Sequence, residues 1–472
     1  MGSGTAYSYT KMQTEPRKIL ILGLGISGRA AAHLAIQRGA EVTVLDERRN
    51  PELTDWAVGL ESRGATVHLE WSDVQWQSQV DMAVISPGIA PASSLGKLAE
   101  SLSCPVVSEL EYGFRCASCP IIAVTGTNGK STTVELMNYC LKQAGYRSVA
   151  AGNIGVALCE AVSKYRGLDY LVVEVSSYQL EKIEEFKPLV AALLNLSPDH
   201  LDRYLTVKDY YAAKMLLFKN MTQRERVVLR ADLARQPLVK QSLPPGGHEP
   251  ITFTSDTDTI EESKFYLSAD GGICLMTDGG RVKLCDAGEL RLRGRHNLEN
   301  VLAVLAMGYA GGLEIKKLLP GIRKFPPSPH RLELVGVYDG VQFINDSKST
   351  NPDSLTRALE AIGEETQGKV ILLAGGLDKG LDLGIVKPYI ARYVRNVFLI
   401  GKCREKLAEL WGAAAPCQIF ASLDNAFDAA LESIEKGDTV LLSPGCASQD
   451  MFKDYADRGK CFSELIRRSY KQ

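Results

Sequence analysis

Short apolar runs that end in glycine or a polar turn recur along this chain, and helical stretches follow them. The first, KILIL (residues 18 to 22), leads into GLGISG. RAAAHLAIQRG then keeps helical spacing until Gly39 stops it. EVTVLDE reads as a second strand closing at Asp46, and DMAVISPGIA continues the alternation. Strand, glycine turn, helix and strand make a βαβ unit, which requires a parallel sheet.

A second block opens with IIAVTGTNGKSTT, residues 121 to 133. Its helix is predicted over residues 131 to 144, with Val134, Met137, Leu141 and Ala144 on one face and Gly145 as the stop. YLVVEVSSYQL and VAALLNLSPDHLDRY supply further buried strands that end in polar turns. From about residue 223 the pattern changes, and FYLSADGGICLMTDGGRVKL alternates short strands with two Asp-Gly-Gly turns, which predicts a small antiparallel patch. KFPPSPHR, with Pro326, Pro327 and Pro329, reads as a hinge, because proline lacks an N–H and holds its predecessor extended. Beyond it VILLAGG, NVFLIG and TVLLSPG are apolar strands ending in glycine, so a third α/β block follows. The predicted architecture is α/β in three domains. They are a Rossmann-like domain over 1–114, a P-loop ATPase-type domain with the antiparallel patch over 115–326, and a Rossmann-like domain over 327–472.

Composition changes this picture little. The 472 residues are 45% hydrophobic and 23% charged with a formal charge of -2, which gives no electrostatic reason for nucleic acid or an anionic membrane as partner. The opening MGSGTAYSYTKMQTEPRK has no apolar core of a signal peptide, and no run approaches the roughly 20 apolar residues of a membrane span. Among eleven cysteines only Cys116 and Cys119 have a metal-like spacing, and no matching pair follows. Reduced thiols in a cytoplasmic enzyme are the expectation.

Chemistry concentrates at strand ends. Gly23, Gly25 and Gly28 match G-x-G-x-x-G with Asp46 closing the next strand, a pattern that brings backbone and helix N-terminus to a pyrophosphate. A dinucleotide cofactor and a nucleotide-sugar both carry one, and a bare tight turn would also need the glycines. TGTNGKST departs from the usual P-loop pattern, since Val124 stands where its first glycine would be. Even so, Gly126 and Gly129 turn backbone N–H groups toward phosphate, Lys130 reaches the β/γ oxygens and Ser131 can hold Mg²⁺. No guanine-reading Asn-Lys-x-Asp motif occurs, which favours ATP over GTP. Glu174 lies in an otherwise apolar strand and needs a cation or a dense hydrogen-bond shell there, unless that strand is a wet edge. His200, His296 and His330 fall in polar, loop-like stretches. Lys214, in YYAAKMLLF, is either a helix lysine reaching solvent or a partly buried amine. INDSKSTNP packs Asp346, Lys348 and Thr350 into a helix start, where they cap the helix or meet a ligand near the hinge.

GTNGKST, EVSSYQL, DHLDRY, YYAAK, GRHNLENVLAV, PHR and NDSKSTNP, in this order from Gly23 to about Gly459, resemble the Mur ligases, the ATP-dependent amino-acid-adding enzymes of peptidoglycan synthesis. GLGISG, SSYQL and LLSPGCASQDMFKDYADRGKCF are similar to the D-glutamate-adding branch. No DNPR occurs, and the related folylpolyglutamate synthases lack the first domain. The resemblance implies that Gly126, Thr127, Asn128, Gly129, Lys130, Ser131 and Thr132 hold ATP phosphates, while Asn297, Arg331 and Asp346 hold the nucleotide with His330 close by. It implies a metal set of Ser131, Glu174, His200 and Lys214, with two Mg²⁺ and a CO₂-derived carbamate on Lys214. Gly25, Ile26, Ser27, Asp46, Glu47, Arg48, Asn153 and Ser176 would face UDP-N-acetylmuramoyl-L-alanine. Lys348, Thr350, Lys379, Ser448 and Tyr455 would frame D-glutamate. It also implies an acyl-phosphate intermediate, with Lys130, Glu174, His200 and Lys214 carrying the chemistry, in a monomer. An NAD-dependent oxidoreductase would use GLGISG but leave the P-loop idle. A regulatory ATPase or nucleotide-sugar sensor would need neither Lys214 nor a third domain full of polar loops.

Overall fold

A computed structural model describes residues 16–201, 203–292, 294–326, 329–366 and 368–470, without the side chain of Glu365. The opening stretch up to residue 15, Asp202 of DHLDRY and Pro327 of the hinge lie outside the described residues.

Among the described residues, strands form three sheets. The first is fully parallel: β1 (Lys18–Leu22), β2 (Glu41–Asp46), β3 (Thr66–Leu69), β4 (Met82–Ile85) and β5 (Val106–Ser108), in the order β3-β2-β1-β4-β5. Strand order reverses between β1 and β4, and open α/β sheets bind ligands beyond the carboxyl ends at such a point. The glycine turn after β1 opens there. Its helix runs Ile26–Gln37 and so begins within the glycine motif rather than after it. Gly28 permits that approach, because a Cβ would lie 1.7 Å from Gly23 O.

The second sheet contains β6 (Ile121–Thr125), β7 (Ser148–Gly152), β8 (Tyr170–Glu174), β9 (Val190–Leu193), β10 (Arg226–Arg230), β11 (Ile251–Thr254), β12 (Phe265–Leu267), β13 (Gly272–Thr277) and β14 (Gly280–Asp286). Their order is β14-β13-β12-β11-β10-β9-β6-β8-β7. Pairing is parallel from β7 to β12 and antiparallel from β12 to β14. The two Asp-Gly-Gly turns therefore join strands that extend the main sheet. The third sheet, β15 (Glu333–Tyr338), β16 (Val341–Asn345), β17 (Val370–Gly375), β18 (Val394–Ile400), β19 (Cys417–Ile419) and β20 (Thr439–Leu442), has the order β15-β16-β20-β17-β18-β19. Only the β15–β16 pair is antiparallel.

The chain divides into two compact units. The first holds the first and second sheets, and the second holds the third sheet with Ser197–Tyr210 and Leu290–Leu298. The first two sheets share one continuous apolar core, from Ile19 and Val84 through Leu110 and Leu158 to Leu193. Polar groups add to it. Buried Glu111 accepts from the N–H groups of Glu184, Glu185 and Phe186 and pairs with Arg115 at 2.6 Å.

Candidate active site

The end of β6 lies between β8 and β9. The loop that follows turns at Gly129, with φ 84° and Asn300 Oδ1 2.4 Å from where a Cβ would be, so glycine is required. The helix Lys130–Gln143 begins at once, and its first internal bond runs from Thr133 N–H to Gly129 O at 2.9 Å. The earlier N–H groups point along the axis, as phosphate binding demands. Asn195, just beyond β9, braces the loop. Its Oδ1 accepts from Thr127 N–H (3.1 Å) and Asn128 N–H (2.8 Å), and its Nδ2 donates to Asn128 O (3.0 Å). Sequence reasoning missed Asn195 and Asn300; a polar residue directly after an apolar strand was the available signal for the first.

Lys130 Nζ donates to Gly126 O (2.9 Å) and Thr127 O (2.8 Å), folded over its own loop. Lys214 is 1% exposed, and its Nζ also donates to Gly126 O at 2.9 Å, so it is a buried amine and not a solvent-facing lysine. Glu174 ends β8, which is paired on both sides, and is 3% exposed, so the wet-edge alternative is wrong. Its Oε1 accepts from Asn153 Nδ2 at 2.8 Å, while buried Oε2 has no hydrogen-bond partner. Buried Thr132 Oγ1 also lacks one. An orphaned carboxylate oxygen beside a P-loop suits a divalent cation that shares its shell with phosphate and water. Among the described residues, no three His, Cys, Asp or Glu side chains gather to hold a metal unaided.

At the first sheet, Gly25 caps a helix whose first residue, Ile26, is 63% exposed, with Ser27 next to it. Asp46 is buried and fully engaged. Oδ2 accepts from Leu24 N–H at 2.7 Å, and both oxygens accept from the Arg48 guanidinium at 3.0 and 3.1 Å. Burial works against its charge, yet the Arg48 fork and the Leu24 and Arg48 N–H groups hold its pKa below the usual value. Asp46 thus shapes the turn and aims Arg48. Glu47 Oε1 accepts from Leu95 N–H at 2.7 Å, at the start of helix Ser94–Ser101. Ser176 is spent on capping: its hydroxyl donates to Gln179 Oε1 (3.0 Å) and accepts from Gln179 N–H.

In the second unit, the loop carrying His200 is strained, with φ 56° at that residue. Its neighbour Asp199 is buried, accepts from Asn351 Nδ2 at 3.2 Å and lies 3.7 Å from Lys379 Nζ. Burial would raise the Asp199 pKa, but Lys379, His200 and the hydrogen bonds bring it below normal. Asp346 Oδ2 accepts from Ser443 Oγ (2.8 Å) and Oδ1 from Leu332 N–H (3.2 Å); burial raises its pKa to about 7. Buried Arg331 Nε has no partner. His330, at φ 60°, has Nδ1 3.0 Å from Asn345 Nδ2. His296 is not in a loop: it sits in helix Arg295–Ala310, one residue before buried Asn297, and burial followed by Arg331 and Arg357 lowers its pKa to about 3. Thr350, Lys379 and Cys446 line a narrow crevice too tight for a water molecule, with Asp378 on its wall paired to Lys406 at 2.6 Å. Lys348 Nζ lies 5.5 Å from the Tyr455 ring centroid, and buried Ser448 Oγ lacks a partner.

Residues 17–108 match the MurD-like N-terminal domain of Mur ligases, 124–308 the Mur ligase middle domain and 330–446 the glutamate ligase domain. A protein of Thermoanaerobacter pseudethanolicus (strain ATCC 33223 / 39E), named UDP-N-acetylmuramoylalanine--D-glutamate ligase, is 34% identical over 460 residues, 96% of this chain and 99% of that one. The chain belongs to the Mur ligase family. A ligase of the same name from Desulfitobacterium hafniense (strain Y51) is 36% identical over 470 residues, covering 98% of this Mur ligase and 100% of its relative. The structure of MurF ligase from Thermotoga maritima in complex with ADP has TM-score 0.61 and 16% identity over 91% of this chain and 95% of that one, which is likeness of fold. Among the described residues, no helix of this Mur ligase is long and apolar enough to cross a membrane.

Proposed function

We propose that this Mur ligase joins the L-alanyl carboxylate of UDP-N-acetylmuramoyl-L-alanine to the amine of D-glutamate, using ATP, as a cytoplasmic monomer. The observation that carries the reading is the braced P-loop with Lys130, Lys214 and Glu174 around it. A carboxylate oxygen is a poor leaving group. Transfer of the γ-phosphoryl to it makes an acyl phosphate, the amine attacks that carbon, and the tetrahedral adduct expels phosphate to leave an amide. Residues Gly126 to Thr132 bind the phosphates through the loop and the helix N-terminus, and Lys130 neutralises charge on the γ-phosphoryl oxygens. Asn297, Arg331 and Asp346 hold the rest of the nucleotide.

Mg²⁺, when bound, supplies further neutralisation of phosphate charge. Ser131 and the unpartnered oxygen of Glu174 fit one ion, and a carbamate on Lys214 would serve the second. Carbamylation would turn the buried ammonium into an anion and release its bond to Gly126 O. Gly25, Ile26, Ser27, Asp46, Glu47, Arg48, Asn153 and Ser176 face the sugar nucleotide, with Asp46, Glu47 and Ser176 also ordering the local backbone. Lys348, Thr350, Lys379, Ser448 and Tyr455 frame D-glutamate. We place the domain boundaries near residues 115 and 327.

The test is ATP-dependent phosphate release with UDP-N-acetylmuramoyl-L-alanine and, separately, D-glutamate, L-glutamate, L-lysine or meso-diaminopimelate. Release is expected only with D-glutamate and only with the sugar nucleotide present. Release with another amino acid would keep the ligase chemistry and overturn the assignment of the acceptor.

A further inference from the structure

Strands β16, β20 and β17 run parallel and adjacent, so their carboxyl ends place three loops side by side. The acceptor residues assigned above come from all three: Lys348 and Thr350 after β16, Ser448 after β20, and Lys379 after β17. Behind them Arg458, from helix Tyr455–Tyr470, is 1% exposed. Its Nε–H donates to Ser347 Oγ at 3.0 Å and its Nη2 to Ser347 O at 2.8 Å. Nη1 and Nη2 donate to Cys446 O at 3.2 and 3.3 Å, and Nη1 reaches Gly375 O at 3.5 Å. One guanidinium thus spans the loop ends of all three strands. Ser347 Oγ also donates to Tyr455 O at 2.8 Å, tying the β16 loop to the start of the same helix.

Arg458 keeps its charge: burial lowers its pKa only to about 10, with Cys446, Asp450 and Asp346 opposing the fall. Among the described residues its nitrogens donate to hydroxyl and carbonyl oxygens and to no carboxylate. A buried cation with no carboxylate in contact is costly, and an apolar side chain would serve a merely structural core better. What an apolar side chain lacks is a rigid fork of donors matched to several carbonyls at once.

We infer that Arg458 is a positioning residue for the amino-acid acceptor: it holds the three loops in one arrangement and fixes the Cys446 backbone among them. The inference rests on the acceptor site proposed above.

The experiment compares wild type, Arg458→Lys and Arg458→Met by steady-state phosphate release, with thermal melting of each. Arg458→Met is expected to raise KM for D-glutamate about 10- to 100-fold while KM for ATP stays within about twofold. Arg458→Lys keeps the charge and loses the fork, so it recovers only part of the loss. An unchanged KM for D-glutamate, or equal rises in every KM, overturns the inference. Should Arg458→Met fail to fold, Arg458→Lys decides alone, and a wild-type KM there overturns it. A wild-type enzyme that turns over a different amino acid refutes the proposed acceptor, and the same KM comparison is then read with that amino acid.

Discussion

At the scale of single residues, the site is defined by charges placed where apolar side chains would be the default. Glu174 closes a buried strand with one oxygen unpartnered, and Lys214 buries an amine against a loop carbonyl. Groups like these cost stability and are retained where a ligand completes them. The second case gives a sharp prediction. Lys214→Ala should lose most ligase activity at unchanged melting behaviour, and millimolar acetate or formate should restore part of it by occupying the carbamate's place. Full activity of that variant at low bicarbonate would refute the carbamate. This residue also marks how far sequence goes. YYAAKMLLF left its amine between solvent and core; packing alone put it inside, and the family resemblance alone suggested its chemistry.

At the scale of elements, the helix Pro352–Glu365 begins with a side chain that does more than cap it. Asn351 forms a capping box with Ser354, and its Nδ2 also donates to Asp199 at 3.2 Å. Asparagine suits both tasks because its amide accepts on one side and donates on the other. Asn351→Ala should therefore cost about 1–2 kcal/mol through the lost cap. It should also free Asp199 to move with Lys379. Asn351→Asp keeps the cap but brings a second carboxylate to Asp199. Urea unfolding of both variants separates the contributions: the aspartate should retain the cap's stability near pH 4 and lose it near pH 7. Equal stability of the two variants at both pH values would show that Asp199 does not sense position 351. Such double use was invisible in INDSKSTNP, where capping and ligand contact stood as alternatives.

At the scale of the whole molecule, strand and helix periodicity made the three sheets readable, because buried parallel strands such as β1, β6, β17 and β20 leave continuous apolar runs and the turns after them carry glycine. Division into compact units was less readable. Proline composition marked the seam near residue 324, but Ser197–Tyr210 and Leu290–Leu298 group with the third sheet through contacts that no local pattern encodes. Buried titratable groups are the other feature set by packing, and they link stability to pH with opposite signs. Glu109, at the junction of the first two sheets, accepts from Cys159 N–H at 2.6 Å, has Oε2 unpartnered, and burial raises its pKa to about 7. Its favourable contribution is complete below pH 4.5 and is lost as pH rises through about 7, by roughly 1.4 kcal/mol for each pH unit crossed between those values. Asp346, also raised to about 7, acts in the same direction in the second unit. His296, lowered to about 3, contributes stability that is complete above pH 6.5 and is lost as pH falls. The windows overlap between pH 4.5 and 6.5, where the two downward slopes outweigh the single upward one, so these three groups together should lower stability by about 1.4 kcal/mol per pH unit there. Glu109→Gln should remove a downward slope and His296→Asn an upward one, measured as urea midpoints at pH 4.5, 5.5, 6.5 and 7.5. A Glu109→Gln midpoint that tracks wild type throughout would mean that the carboxyl of Glu109 ionises as readily in the folded chain as in the unfolded one, and that water reaches the junction of the two sheets.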